Sequence, residues 1–144
     1  MLKEFYSYDM FKDDCNYLIP KLKQCDFDTI IPIARGGLTF GHFISSALDI
    51  RKVYPISSIH YDGTTKLDNF IISNIPDLSN SSNILIVDDI IDSGETIVEI
   101  LTILKNKYPN CTFKVASIYY KKTALIMPHF YAKEAINWIE FFWE

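Results

Sequence analysis

The sequence predicts an α/β protein: a doubly wound, mostly parallel sheet with helices on both faces. Three observations carry that expectation. The runs Thr29-Ile30-Ile31-Pro32-Ile33-Ala34 and Ile84-Leu85-Ile86-Val87 lack the polar alternation of a half-solvated strand, so they read as strands covered on both faces. Each run leads through a glycine-bearing loop into a helical stretch, and a further β-rich segment follows, at 53–59 and at 112–120. Strand–helix–strand units this compact imply right-handed crossovers and parallel pairing.

The elements follow in order. Phe11, Cys15, Leu18 and Leu22 make an N-terminal helical stripe that ends before a turn at 24–28. Strand 29–34 opens onto Arg35-Gly36-Gly37 and a mixed stretch to Leu48, and strand 53–59 comes next. A long polar excursion then runs to Asn83, interrupted by the apolar run 70–72, and reads as a functional flap or a mobile hairpin at about 60–80. After strand 84–88, Ile97, Ile100, Leu101 and Leu104 fall at i, i+3, i+4 and i+7 on one helix face, ahead of strand 112–119. In flavodoxin-like order, strands 29–34 and 84–88 lie side by side, and ligands bind outside their carboxyl ends. Loops 35–37 and 92–96 are therefore expected to face one crevice, suited to a ligand with two anionic ends.

Composition limits what such a crevice serves. The 144 residues, 49% hydrophobic and with a net charge of −4, suit one domain spanning 1–144. The mild acidity and the lack of a basic cluster argue against a nucleic-acid partner. No apolar stretch approaches the ~20 residues that span a bilayer, and the N-terminus is charged where a signal peptide is apolar. A soluble, cytoplasmic protein with no membrane segment is expected. Cys15, Cys25 and Cys111 are odd in number and lack C-x-x-C spacing, and His42, His60 and His129 are scattered, so neither a disulfide framework nor a zinc site is expected.

The chemistry concentrates in Ile84-Leu85-Ile86-Val87-Asp88-Asp89-Ile90-Ile91-Asp92-Ser93-Gly94-Glu95-Thr96. Two adjacent carboxylates at the end of a buried strand repel each other unless a ligand or cation compensates them. A ribose diol suits them, since each carboxylate accepts hydroxyl hydrogen bonds. The next loop suits a phosphate: Gly94 admits close backbone approach, Ser93 and Thr96 offer hydroxyls, and the helix start supplies N–H groups. The loop holds no Lys or Arg and is not a Walker loop. A plainer account makes Asp88-Asp89 a strand end and Asp92-Ser93 a helix cap, but a cap needs only one such residue. Arg35 beside Gly36 and Gly37 sets a bidentate donor next to bare backbone, which suits a polyphosphate better than a tight turn alone.

The segment 84–96 resembles the phosphoribosyl-pyrophosphate signature of the type I phosphoribosyltransferases. Ile31-Pro32-Ile33-Ala34-Arg35-Gly36-Gly37 resembles that family's pyrophosphate loop. Trp138-Ile139-Glu140-Phe141-Phe142-Trp143-Glu144 resembles the tail of the bacterial xanthine-guanine enzymes, which usually have Pro where this chain has Phe142. The resemblance implies the type I phosphoribosyltransferase fold, with a small C-terminal hood at about 120–144. It implies that Asp88 and Asp89 hold the ribose hydroxyls, with Asp89 also facing Mg2+, mostly through water. Ser93, Gly94, Glu95 and Thr96 would wrap the 5′-phosphate, and Arg35, Gly36 and Gly37 the pyrophosphate, with a non-proline cis peptide on one side of Arg35. Asp92 would sit beneath the reacting centre and accept a proton from the purine imidazole edge. Lys121, or Lys122 beside it, would meet a 6-oxo group, Trp138 would stack on the base, and Ile139 would offer a carbonyl to a 2-amino group.

The implied activity is purine salvage: magnesium-dependent transfer of phosphoribose from phosphoribosyl pyrophosphate to guanine, xanthine or hypoxanthine, by a homodimer or homotetramer. Lys66 in the flap is either a pyrophosphate ligand or a solvent-exposed lysine. Two other readings stay open: a regulatory protein that senses phosphoribosyl pyrophosphate, and a phosphoribosyltransferase for another base.

Overall fold

The computed structural model of the protein describes residues 2–60 and 70–144, so Lys66 and the tip of the expected flap lie outside the described residues. The elements run β1 (Lys3–Tyr6), α1 (Tyr8–Lys23), β2 (Thr29–Ala34), α2 (Leu38–Leu48), β3 (Lys52–Val53) and β4 (Ile56–His60). They continue with β5 (Phe70–Ser73), β6 (Asn83–Ile91), α3 (Glu95–Lys107), β7 (Thr112–Tyr120), β8 (Phe130–Glu134) and β9 (Trp138–Phe141). The main sheet has the order β5-β4-β2-β6-β7-β8, with β3 alongside β2, and among the described residues only the β4–β5 pair is antiparallel. The doubly wound, mostly parallel architecture is as expected, with β2 and β6 adjacent.

Alternate residues of the central strands face opposite layers, as a period of two requires. Ile30, Leu85, Val87, Ala116 and Ile118 pack with Phe11, Leu18, Leu22, Phe40 and Ile44 from α1 and α2. Ile31, Ile33, Ile84, Ile86 and Val115 pack with Ile97, Ile100, Leu101 and Leu104 from α3. Helices thus cover both faces, which is why these strands read as unbroken apolar runs. The helix starts differ: Ser7 caps α1, accepting the Met10 N–H at 3.2 Å, whereas the N-cap residues of α2 and α3, Gly37 and Gly94, have no side chain to offer.

The structure departs from the expected boundaries in three places. The segment 53–59 is two strands, because Tyr54-Pro55 separates β3 from β4. Thr29 and Ile30 pair with β3, and Ile33 and Ala34 with β4. Pro32 falls between those two stretches, where its missing N–H forfeits no bond on that side. Strand β6 continues past Val87 to Ile91, because β7 keeps pairing with it through Ile91↔Tyr120, whereas β2 stops at Pro32↔Val87. Asp88 and Asp89 therefore lie inside a strand rather than at its end, just beyond the point where its β2 neighbour turns away. Finally, β8 joins the main sheet beside β7, while β9 pairs in parallel with β1 to form a separate ribbon.

Candidate active site

The geometry around Asp89 decides whether the two glycine-bearing loops share a crevice. Adjacent parallel strands discharge their loops at the same edge, and β2 and β6 are adjacent. The Ala34–Arg35 peptide is cis, one of the two positions anticipated. Gly36 lies so close to Asp89 that a Cβ built there would stand 2.7 Å from the carboxylate Cγ. The 35–37 loop and the acid pair therefore form one wall. Gly37 is equally confined, with a Cβ meeting Val87 O at 2.5 Å and Ile33 N at 2.9 Å. Arg35 at the head of this loop is exposed.

The acid pair is strongly coupled. Asp88 Oδ1 accepts the Asp89 N–H at 2.9 Å, and Asp89 Oδ1 accepts the Ile90 N–H at 2.7 Å. Burial pushes the Asp88 carboxyl well above the usual carboxylate range, and the neighbouring Asp89 pushes it further. Asp89 is also raised by burial, although hydrogen bonds from Asp88 and the Ile90 N–H oppose that rise. Without a compensating positive charge or hydroxyl donors, such a pair holds on to protons at pH values where an ordinary aspartate has lost its own.

Two cavities flank this pair. One, of about 290 Å³, is lined by Asp88, Ile90, Ile91, Asp92, Ser93, Gly94, Thr96 and Ile97. The N-cap of α3 is Gly94 at φ +84°, and Ser93 Oγ accepts the Glu95 N–H at 3.3 Å. Neither Asp92 nor Ser93 is the N-cap residue, although Ser93 Oγ takes the first N–H of the helix. Glu95 stands on the first turn but does not line the cavity. Leu125 N–H donates to Ser93 O at 2.8 Å, laying the 121–127 segment over the loop.

The second cavity, about 160 Å³, is lined by Asp89, Ile90, Asp92, Lys121, Asn137, Trp138, Ile139, Phe141 and Glu144. Ile90 and Asp92 border both cavities. Lys121 Nζ lies 2.8 Å from Asp92 Oδ1, whereas Lys122 turns to Glu134 at 3.6 Å. Of the two lysines the sequence left open, Lys121 lines this cavity. Trp138 is 54% exposed at the rim, so it does not anchor the core; Ile139 is buried. Ile90, Asn137, Phe141 and Glu144 were not anticipated. Asn137 and Glu144 reach the wall only because β9 folds back along β1, a pairing with no local signal.

The expected Mg2+ can be tested against these donors. Among the described residues no cluster of three or more His, Cys, Asp or Glu side chains forms a cage. Magnesium instead binds well to one or two carboxylates while taking its other ligands from water and substrate phosphates. The Asp88–Asp89 pair, with Asp89 buried, Asp88 half-buried and neither in an ion pair among the described residues, fits that pattern.

Comparison with known proteins agrees with this geometry. The solved Helicobacter pylori xanthine-guanine-hypoxanthine phosphoribosyltransferase superposes with a TM-score of 0.92 and 36% identity, over 99% of this chain and 94% of that one. A xanthine-guanine phosphoribosyltransferase from Cereibacter sphaeroides is 33% identical over 119 residues, covering 80% of this chain and 68% of the relative. An orotate phosphoribosyltransferase from Sulfurisphaera tokodaii is also 33% identical, over 104 residues that make up 69% of this chain but only 48% of the relative. The phosphoribosyl transferase domain matches residues 3–144. With two glycine-bearing loops meeting at a buried acid pair and that match along nearly its whole length, the chain belongs to the phosphoribosyltransferase family.

Proposed function

We propose that the protein transfers phosphoribose from phosphoribosyl pyrophosphate to N9 of a 6-oxopurine, releasing pyrophosphate and forming the nucleoside monophosphate in purine salvage. The observation that carries this reading is the pair of cavities meeting at Ile90 and Asp92. One offers hydroxyls and a helix start to a phosphorylated sugar; the other offers a cation, an indole and apolar walls to a flat base.

In this reading Asp88 and Asp89 accept hydrogen bonds from the ribose hydroxyls, and Ser93, Gly94, Glu95 and Thr96 hold the 5′-phosphate with backbone groups and hydroxyls. Arg35, Gly36 and Gly37 receive the pyrophosphate and stabilise the charge that grows on it as the C1–O bond breaks. Magnesium, held at the Asp88–Asp89 pair with Asp89 facing it mainly through water, would supply further compensating positive charge for the pyrophosphate. Asp92 accepts from the imidazole N–H of the base, making the ring nitrogen a better nucleophile. Lys121 donates to the 6-oxo oxygen, a bond that the 6-amino group of adenine cannot accept. Trp138 stacks on the ring, and the Ile139 carbonyl serves a 2-amino group when there is one. The substrates held in line lower the entropic part of the barrier.

Tyr8 and Phe43, exposed and 6.5 Å apart, belong to an apolar strip that a second copy would cover in the expected homodimer or homotetramer. No helix among the described residues is long and apolar enough to cross a membrane; the reading itself places the reaction in the cytoplasm.

Pyrophosphate release from phosphoribosyl pyrophosphate and Mg2+ tests the reading across guanine, xanthine, hypoxanthine, adenine and orotate. Turnover of one or more 6-oxopurines, lost in Asp92→Asn, is the expected result. Turnover confined to orotate or adenine, or none with any base, overturns it.

A further inference from the structure

We propose that Leu125 is a positioning residue acting through its main chain: its N–H, donated to Ser93 O, fastens the 121–127 segment to the phosphate loop and so fixes Lys121 against Asp92. The fastening stands on its own geometry; only its consequence for base recognition rests on the phosphoribosyl transfer proposed above.

Asp92 and Lys121 are each the first residue beyond a paired strand, β6 and β7 respectively. Their side chains meet at 2.8 Å on the wall of the base cavity. That ion pair cannot hold its own geometry, because the Asp92 side chain is 61% exposed and solvent-screened pairs contribute little. The main chain does the holding. Lys121 N–H donates to Ile91 O at 2.9 Å and Leu125 N–H to Ser93 O at 2.8 Å, so one segment binds the carbonyls on both sides of Asp92. Between them a turn closes where Ala124 N–H donates to Lys121 O at 3.0 Å. The bond to Ile91 continues the β6–β7 ladder, whose last pair is Ile91↔Tyr120. The bond to Ser93 lies beyond that ladder, and it stops the two chains from diverging where their side chains meet the base.

The underside of the segment fits the same account. A Cβ built on Gly94 would stand 3.0 Å from Leu125 N and 3.3 Å from Ile126 Cγ2, so the segment rests directly on the N-cap of α3. Ile126 also packs against the core layer that includes Ile97 and Ile100. Leu125 itself is 66% exposed, so its place is set by its N–H rather than by its side chain. The loop that receives the 5′-phosphate thereby also sets the cation that faces the base.

Amide exchange in 1H–15N spectra of the natural protein tests the fastening. The Leu125 N–H is expected to exchange at least about tenfold more slowly than those of Lys122 and Thr123, which have no acceptor among the described residues. That comparison decides the contact whether or not the proposed reaction is found. In kinetics, Leu125→Pro removes the N–H, whereas Leu125→Ala trims the side chain and keeps it. Measured with the best-used of guanine, xanthine and hypoxanthine, KM for the base is expected to be about tenfold higher in Leu125→Pro than in Leu125→Ala. KM for phosphoribosyl pyrophosphate is expected to differ between them by less than about threefold. Placed on Lys121→Met, Leu125→Pro is expected to raise KM for the base no further, because the group it positions is gone. Should Leu125→Pro not fold, Ile126→Ala loosens the segment from its underside and is read in the same way. A Leu125 amide that exchanges as fast as those of Lys122 and Thr123, a loss shared equally by both substrates, or losses that multiply in the double variant, overturns the proposal.

Discussion

Replacing Gly36 by Ala tests whether the 35–37 loop and Asp89 act as one site. The new Cβ would stand 2.7 Å from both Cγ and Oδ1 of Asp89. Carbon atoms in contact need about 3.5 Å, so the loop and the carboxylate must separate by about 0.8 Å. Neither side yields readily. Asp89 is buried and tied to the Ile90 N–H, and the loop is tied down where Gly37 N–H donates to Ile33 O at 2.8 Å. Backbone conformation does not enter, because Gly94 is the positive-φ glycine among the described residues. A misplacement approaching 1 Å at a reacting centre costs up to about a hundredfold in rate. The expected result is a fall of about 10- to 100-fold in kcat/KM for phosphoribosyl pyrophosphate, measured by initial rates of pyrophosphate release. Overpacking costs about 1–3 kcal/mol of stability, readable in thermal unfolding. Gly37→Ala is the comparison: its Cβ meets the backbone of β2 and β6, so it is expected to impair folding rather than selectively impair turnover. A Gly36→Ala protein with unchanged kcat and KM would refute the shared wall.

Other predictions bear on the base pocket and on pH. Lys121→Met is expected to lower kcat/KM for 6-oxopurines by about 10- to 100-fold, the range for losing a bond from a charged donor. Lys122→Met is expected to leave it within about twofold, because its exposed pair with Glu134 contributes little. Equal effects of the two substitutions on a panel of bases would refute the assignment. His129 gives a pH dependence away from the site. Its Nδ1 accepts the Val115 N–H at 3.0 Å, which requires an unprotonated nitrogen. Burial lowers its pKa, and Lys114 and Lys105 lower it further. Below about 6.5 the unfolded chain takes up a proton that the folded chain resists, so this contribution is present above that pH and fades below it. The thermal midpoint between pH 7.5 and 5 is expected to fall less steeply in His129→Ala than in the natural protein. Identical slopes would remove His129 from the account.

Much of this was legible because the carrying signals are local. A doubly covered strand needs a continuous apolar run, and 29–34 and 84–87 have one; a helix against a sheet needs the stripe of Ile97, Ile100, Leu101 and Leu104. The acid pair and the Gly94 loop lie within nine residues, so their chemistry could be read as one segment. The two strands at 52–60 were harder to separate, because the break at Tyr54-Pro55 depends on how Pro32 in the neighbouring strand is spared a partner. The length of β6 was hidden for a similar reason: its extension to Ile91 rests on pairing with β7 and not on its own residues.

Residue order thus determined the parallel α/β architecture, the adjacency of the two glycine loops and the candidate groups for sugar, phosphate and base. It did so because strand, helix and loop preferences act over a few residues, and the handedness of crossovers then leaves few topologies. Folding in three dimensions decided which of Lys121 and Lys122 faces the cavity, that Gly36 abuts Asp89, and that Asn137 and Glu144 reach the site at all. Those facts depend on contacts between residues as far apart as Lys3 and Trp138. Pairing at that separation leaves no periodic trace in the chain, and only closing the sheet and docking the tail brings such groups together.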